Sequence, residues 1–217
     1  MPTCKEDLFQ RYQTELARWP EVIEGEEEIR FQIERAGLGI LDWLGGFRCN
    51  AEGGRGRVVL ETSDLVDKER HYRIDKLIRH WVTHLVAHLA PGEKPLTTMV
   101  VSKKGSIELS PLEIHVAKDH LHTLLSVWQQ GMCRPLPLAV KTALVWLKTN
   151  DAQKTRSAYE GGFSKGEVDH CAYLQRAYPN FEALVADGTF YELAHTLLHP
   201  LQHALLPRGK KSAGAAA

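Results

Sequence analysis

The segment RVVLETSDL, Arg57 to Leu65, is the stretch on which the reading of this chain turns. Its first half is β-branched and apolar, the composition of a buried strand, and it ends in an acid followed by two hydroxyls, Glu61-Thr62-Ser63. Upstream, GILDWLGG, Gly39 to Gly46, sets Asp42 inside a second apolar run. Two acids on neighbouring strands are a donor set for a hard divalent ion, because carboxylate oxygens suit octahedral magnesium. The same acids also occur as plain hydrogen-bonded strand residues, so their surroundings must decide between the two.

Outward from that pair, the periodicities give an ordered set of elements. Thr3 and Glu6 have capping-box spacing, and Leu8, Phe9, Tyr12, Leu16 and Trp19 recur at helical intervals before Pro20. Ile29, Phe31 and Ile33 alternate with Arg30, Gln32 and Glu34, which predicts a half-exposed strand; LGILDWLGGF is more continuously apolar and predicts a central one. Ile74, Leu77, Ile78, Trp81, Leu85 and Leu89 mark an amphipathic helix that Pro91-Gly92 ends. TTMVVS and SIEL flank Lys103-Lys104-Gly105 as a hairpin, and Ser110, Pro111 and Glu113 predict a helix start. That helix reaches Gly131, CRPLP breaks it, and further helices follow over Ala139–Thr149 and Thr189–Leu206.

Helix, three strands, helix, strand is an α/β series, and it is also the α-β-β-β-α-β order of PD-(D/E)XK nucleases. The expected architecture is a nuclease-like core over 4–131, a helical C-terminal extension over 132–206 packed on it, and a disordered tail at 207–217. A nuclease site of that type carries an acid on the second strand, Asp/Glu-x-Lys on the third, and often a Glu on the first helix. The acids hold magnesium, and the lysine positions water and offsets developing charge. Here Asp42, Glu61 and Glu15 take the acid positions, but Ser63 stands where the lysine belongs, and no Lys or Arg lies between Val58 and Val66. A hydroxyl supplies no positive charge. Glu15, Asp42, Glu61 and Ser63 therefore read as a degenerate site with no catalytic residue, no cofactor and no bound metal. Magnesium enters only under the alternative of an active deoxyribonuclease with its lysine supplied from elsewhere.

Other chemistries find less support. His80, His84 and His88, like His195, His199 and His203, are spaced one helical turn apart, yet neither ladder has the glutamate of a zinc-protease motif. Both are expected to be boundary or surface histidines. There is no GxSxG and no Walker loop, and the four cysteines form no CxxC pair. Lys plus Arg equals Asp plus Glu at 27 each, so contact with a polyanion needs a local patch. Arg134, Lys141, Lys148, Lys154 and Arg156, interspersed with Trp146 and Tyr159, are the DNA-binding candidates. Leu136, Leu138, Trp146 and Phe163 are the candidates for subunit contact. The charged N-terminus lacks a signal-peptide core and no apolar run reaches membrane length, so a cytoplasmic protein is expected.

The second half of the chain resembles a specific family. WQQGMCRPLPLAVKTALVWLKT, Trp128 to Thr149, is similar to the C-terminal region of RecC, the gamma subunit of exodeoxyribonuclease V, through Gly131, Met132, Pro135, Leu136, Trp146 and Leu147. AYEGG at Ala158–Gly162 and GEVDHCAYLQRAYPNFEAL resemble its Tyr-Glu-Gly and Gln-Arg runs; LDWLGGF and IRHWVTHLVAHLA resemble its strand and its Trp-x-x-His-Leu helix. The resemblance implies a nuclease-like domain without an active site that scaffolds a RecBCD-like helicase-nuclease complex in double-strand-break repair by homologous recombination. It implies RecB-like and RecD-like partner subunits, and DNA handled within the complex. A DNA-binding module acting alone is the remaining alternative.

Overall fold

The computed structural model describes residues 4–33, 37–67, 72–91 and 95–205. Thr3 of the expected capping box, Gly92, Leu206 and the 207–217 tail lie outside the described residues. The chain divides into two compact units: the first runs to Asp119 and resumes at His203, and the second spans His120–Gln202.

The first unit is a mixed α/β layer built from α1 (Cys4–Ala17), β1 (Glu21–Val22), β2 (Glu26–Ile33), β3 (Leu38–Gly45), β4 (Phe47–Cys49), β5 (Arg55–Glu61), α2 (Ile78–Ala87), β6 (Leu96–Ser102) and β7 (Ser106–Leu109). The five-stranded sheet has the order β1-β4-β5-β6-β7, with β5 and β6 parallel and the other pairs antiparallel. The β5-α2-β6 crossover accounts for the one parallel pair, since a tight turn cannot return a strand in the same direction. Every residue of β6 is buried, so this strand is covered on both faces.

Period-two alternation assigns the covers. Val58, Met99 and Val101 pack with Trp19 and with Leu8, Tyr12 and Leu16 of α1. Gly56 makes room for this: a Cβ there would lie 2.6 Å from the Trp19 ring. The opposite face presents Arg55, Arg57 and Glu61 on β5 and Thr98, Val100 and Ser102 on β6, and α2 covers it with the fully buried Leu85 and His84.

LGILDWLGGF does not become a central strand. β3 pairs only with β2, in a separate two-stranded sheet running from Glu26↔Gly45 to Ile33↔Leu38. Its apolar residues serve two faces: Ile29 and Ile33 are buried, whereas Leu41 and Trp43 on the opposite side are exposed. Gly25 and Gly46, at φ +87° and +74°, sit where this arm leaves β1 and β4, in a backbone region that L side chains disfavour. Hydropathy alone cannot separate a twice-covered strand from a ribbon with one buried and one exposed apolar face.

The helix expected from Ser110 begins only at Ile114, as α3 (Ile114–Cys133). Residues 110–112 are instead held from outside: Ser110 N–H donates to Ala204 O at 2.9 Å, and Leu112 N–H donates to His88 Nε2 at 2.9 Å. The hydrogen bonds that would have begun the helix are satisfied by other segments.

The second unit is helical: the rest of α3, then α4 (Val140–Thr149), α5 (Ala152–Glu160), α6 (Ala172–Ala177), α7 (Phe181–Val185), α8 (Thr189–Leu193) and α9 (His199–His203). A π-helical turn, Ala194–Leu198, joins the last two. Asn150 closes α4 in the left-handed region at φ +48°, and the Asp151 carboxylate caps α5 by accepting from Gln153 and Lys154 N–H. The N-terminus of α4 has no side-chain cap of its own. Glu167 replaces one from a distance, accepting from Lys141 N–H, Thr142 N–H and the Thr142 hydroxyl. α7 is capped by its own Asn180, which accepts from Ala183 N–H, and Glu160 adds a bond from Phe181 N–H; the buried Tyr159 hydroxyl donates to Tyr178 O.

Candidate functional site

The carboxyl ends of β5 and β6 carry the cluster that bears on function. Alternation along β5 turns Glu61 toward α2, where its side chain is 6% exposed. Glu61 Oε2 accepts from Arg79 Nη2 and from His80 Nε2, each at 2.8 Å, and Oε1 accepts from Ser63 N–H at 2.8 Å. The short His80 contact requires that Nε2 carry the proton, which leaves the 3.4 Å Arg79 Nε–His80 Nε2 approach without a bond. Burial pushes the Glu61 carboxyl up, but the Ser63 N–H, His80 and the Arg79 charge outweigh it and hold the pKa down to about 2. Burial also lowers His80, against its bond to Glu61.

A cation therefore does stand beside Glu61, contrary to the expectation drawn from β5 alone. It comes from α2, at a sequence separation of 18, and it is an arginine paired to the acid rather than a lysine beside a metal. Both carboxylate oxygens are engaged by the protein itself. This donor set does not fit magnesium, which takes oxygen ligands and is repelled by a guanidinium on the same oxygen. Among the described residues no group of three His, Cys, Asp or Glu is arranged to hold a metal ion.

The other candidate acids lie elsewhere. Asp42 is exposed on β3, its Oδ1 accepting from Trp43 N–H, and Glu15 on α1 pairs with Arg18 at 2.9 Å, which in turn reaches Glu108. The structure thus brings together Glu61 and Ser63 of the four positions and adds Arg79 and His80. Arg79 and His80 stand in the first turn of α2, and nothing in their own spacing marked them as partners of Glu61. Glu61→Gln keeps the shape and removes the charge, and is expected to cost about 2 kcal/mol, the scale of a charge-assisted hydrogen-bond set. Urea unfolding followed through the buried Trp19 and Trp81 measures it.

The first histidine ladder is not a boundary feature. His80, His84 and His88 are all buried and run down the sheet-facing side of α2. His84 Nδ1 accepts from the Thr98 hydroxyl at 2.8 Å while Nε2–H donates to Ser110 O at 3.0 Å; His88 Nδ1–H donates to His84 O at 2.8 Å. The His84 and His88 rings are thus neutral bridges with both nitrogens used. In the second ladder, His195 and His199 stack at 4.4 Å, with His195 exposed.

The basic stripe of the second unit is partly consumed by internal pairing. Arg156 reaches Glu160 and Glu182 and lies over the Phe181 ring, and Lys154 is 3.5 Å from Asp151; Arg134, Lys141 and Lys148 are exposed. Of the apolar candidates, Leu136, Leu138 and Trp146 are half-buried, Trp146 packing on Tyr191 at 4.6 Å, and Phe163 is fully exposed. Trp128, Met132 and Tyr173 are exposed beyond what the sequence suggested, and Met132 and Tyr173 line an open groove of about 610 Å³ with Arg134 and Arg176. No helix of the described residues is long and apolar enough to cross a membrane.

The first unit is thus an α/β domain with a five-stranded mixed sheet whose strand-end acid is tied into its own crossover helix. The chain belongs to the RecC C-terminal domain family, whose model matches residues 4–151. Membership gives it a RecC-type subunit role in a RecBCD-type, exodeoxyribonuclease V complex of DNA repair. The match ends at Asp151, so AYEGG and the GEVDH segment lie beyond it. A search of curated proteins finds none that matches the chain.

Proposed function

We propose that this chain is a non-catalytic, nuclease-like domain that scaffolds a RecBCD-like complex, with a core descended from the PD-(D/E)XK arrangement. The observation that carries this reading is the Glu61 carboxylate, engaged by Arg79, His80 and Ser63 where a nuclease would present it to metal. The α1, hairpin, β5, α2, β6 succession supports the nuclease-like ancestry. The exposed Leu41 and Trp43 of the arm, and Trp128, Met132, Phe163 and Tyr173 of the second unit, support contact with RecB-like and RecD-like subunits, since clustered apolar exposure marks interfaces.

Two measurements test the reading together. Co-expressed RecB-like and RecD-like subunits are expected to be retained by the tagged chain. Linear duplex DNA with magnesium is expected to survive incubation with the purified chain and its Glu61→Gln variant alike. Cleavage by the wild type that the substitution abolishes sinks the non-catalytic reading in favour of an active deoxyribonuclease, and failure to retain either subunit sinks the scaffold.

A further inference from the structure

We infer that the carboxyl-end pole of β5 and β6 in the first unit is a contact surface for the phosphate backbone of DNA. The inference goes beyond the scaffold proposed above and rests on that reading for the identity of the polyanion. The residues involved come from four separate segments, which is why no sequence stripe revealed them.

The β6–β7 turn contributes Lys103 and Lys104, both exposed. The 3-10 turn before α2, Ile74–Lys76, contributes Lys76 and is preceded by Arg73, with side chains 36% and 39% exposed. α2 contributes Arg79, 67% exposed, and α1 contributes Arg11, whose Nη1 donates to Ser102 O and Lys103 O. Lys104 Nζ donates to Asp64 Oδ2 at 2.7 Å in the loop between β5 and α2. Among the described residues six cations here outnumber the four carboxylates Glu61, Asp64, Asp67 and Asp75, in a chain balanced overall at 27 against 27. A local excess within a neutral molecule is what sets where a polyanion lands.

Arg79 has a particular part in this. One guanidinium nitrogen is fixed by the buried Glu61, while the side chain remains two-thirds open to solvent. A planar fork held at one edge presents its other N–H groups already oriented, which suits a phosphate oxygen pair better than a free lysine does. The degenerate acid thus positions a cation for phosphate. Arg73 and Lys76 pair with Asp75 and Lys104 pairs with Asp64, as Lys154 and Arg156 of the α4–α5 stripe pair with Asp151, Glu160 and Glu182, so it is the fixed and open fork of Arg79 that sets this pole apart.

The test is fluorescence anisotropy of the full chain with a labelled duplex and, separately, a labelled single strand, each titrated across salt concentrations. The variant K76Q/K103Q/K104Q touches no buried group. It is expected to bind about tenfold more weakly near 0.1 M salt and to lower the salt slope by about 2 to 3, at roughly 0.9 for each duplex phosphate that is no longer neutralised. R79Q is expected to weaken binding in the same direction, and K141Q/K148Q/K154Q to stay within about twofold of wild type, the size of a screened distant charge. Weakening in the duplex arm alone, or in the single-strand arm alone, supports the surface and identifies which form it takes. Wild-type-like binding by the triple variant, weakening confined to the α4–α5 variant, or no salt-dependent binding by the wild type overturns it. Retention of the partner subunits is scored on the same proteins, so a chain that fails as a scaffold yet binds DNA through this rim is distinguished from one that fails here.

Discussion

An E27A variant is expected to lose about 4 kcal/mol of stability, within the ~3–5 kcal/mol range for stripping one partner from a buried ion pair. Arg55, at the start of β5, is 7% exposed, donates from Nη2 to Glu27 Oε1 at 2.6 Å and from Nη1 to Pro91 O at 2.6 Å, and lies 4.4 Å over the Phe47 ring. Removing Glu27 leaves that charge in place with no counter-charge, while its Nε is already a buried donor without a partner. Glu27 belongs to β2, so the pair also fastens the hairpin arm to the five-stranded sheet. The double replacement Glu27→Leu with Arg55→Met is expected to cost far less than E27A, because an apolar pair carries no uncompensated desolvation. Urea titrations of the three proteins decide the matter. A loss below about 1 kcal/mol in E27A would mean that water reaches Arg55 and that the arm is held by packing alone.

That pair also shows what sequence could and could not convey. The succession of helix, strands, helix and strand was legible because each element carries its own period, and Val58, Trp81 and Met99 fall on the covered faces that alternation assigns them. Glu61 was legible as a strand-end acid. Its partners were not, because Arg79 and His80 read as ordinary positions of an amphipathic helix until the crossover returns that helix over β5. The arm was misread for a related reason: an apolar run does not say which of its faces is covered, and Leu41 and Trp43 are exposed. The late start of α3 was hidden as well, since Ser110-Pro111 has the residues of a helix start and only the arrival of His84, His88 and Ala204 redirects its hydrogen bonds.

Those same histidines set the response to acid. Burial and, after it, the neighbouring His88 outweigh the bond to Ser110 O and lower the His84 pKa to about 3. In the unfolded chain an imidazole titrates near its ordinary value of about 6.5. Between those two values the unfolded state binds the proton and the folded state does not, so stability falls as pH falls. The loss from His84 alone is expected to be about 2 kcal/mol at pH 5 and to approach about 5 kcal/mol at pH 3, at 1.36 kcal/mol per unit. His80 and His88, lowered chiefly by burial, act in the same direction. Below about pH 4.5 the depressed Glu61 carboxyl adds a second loss, complete near pH 2. Above pH 6.5 these groups contribute no slope. Unfolding free energies measured from pH 8 to pH 4 are therefore expected to be level and then to fall, and His84→Leu should reduce the slope below pH 6.5 even though it lowers the plateau. A wild-type curve that stays flat down to pH 4 would mean that the folded protein takes up the proton at His84, and so that water reaches a ring whose charged form burial now disfavours.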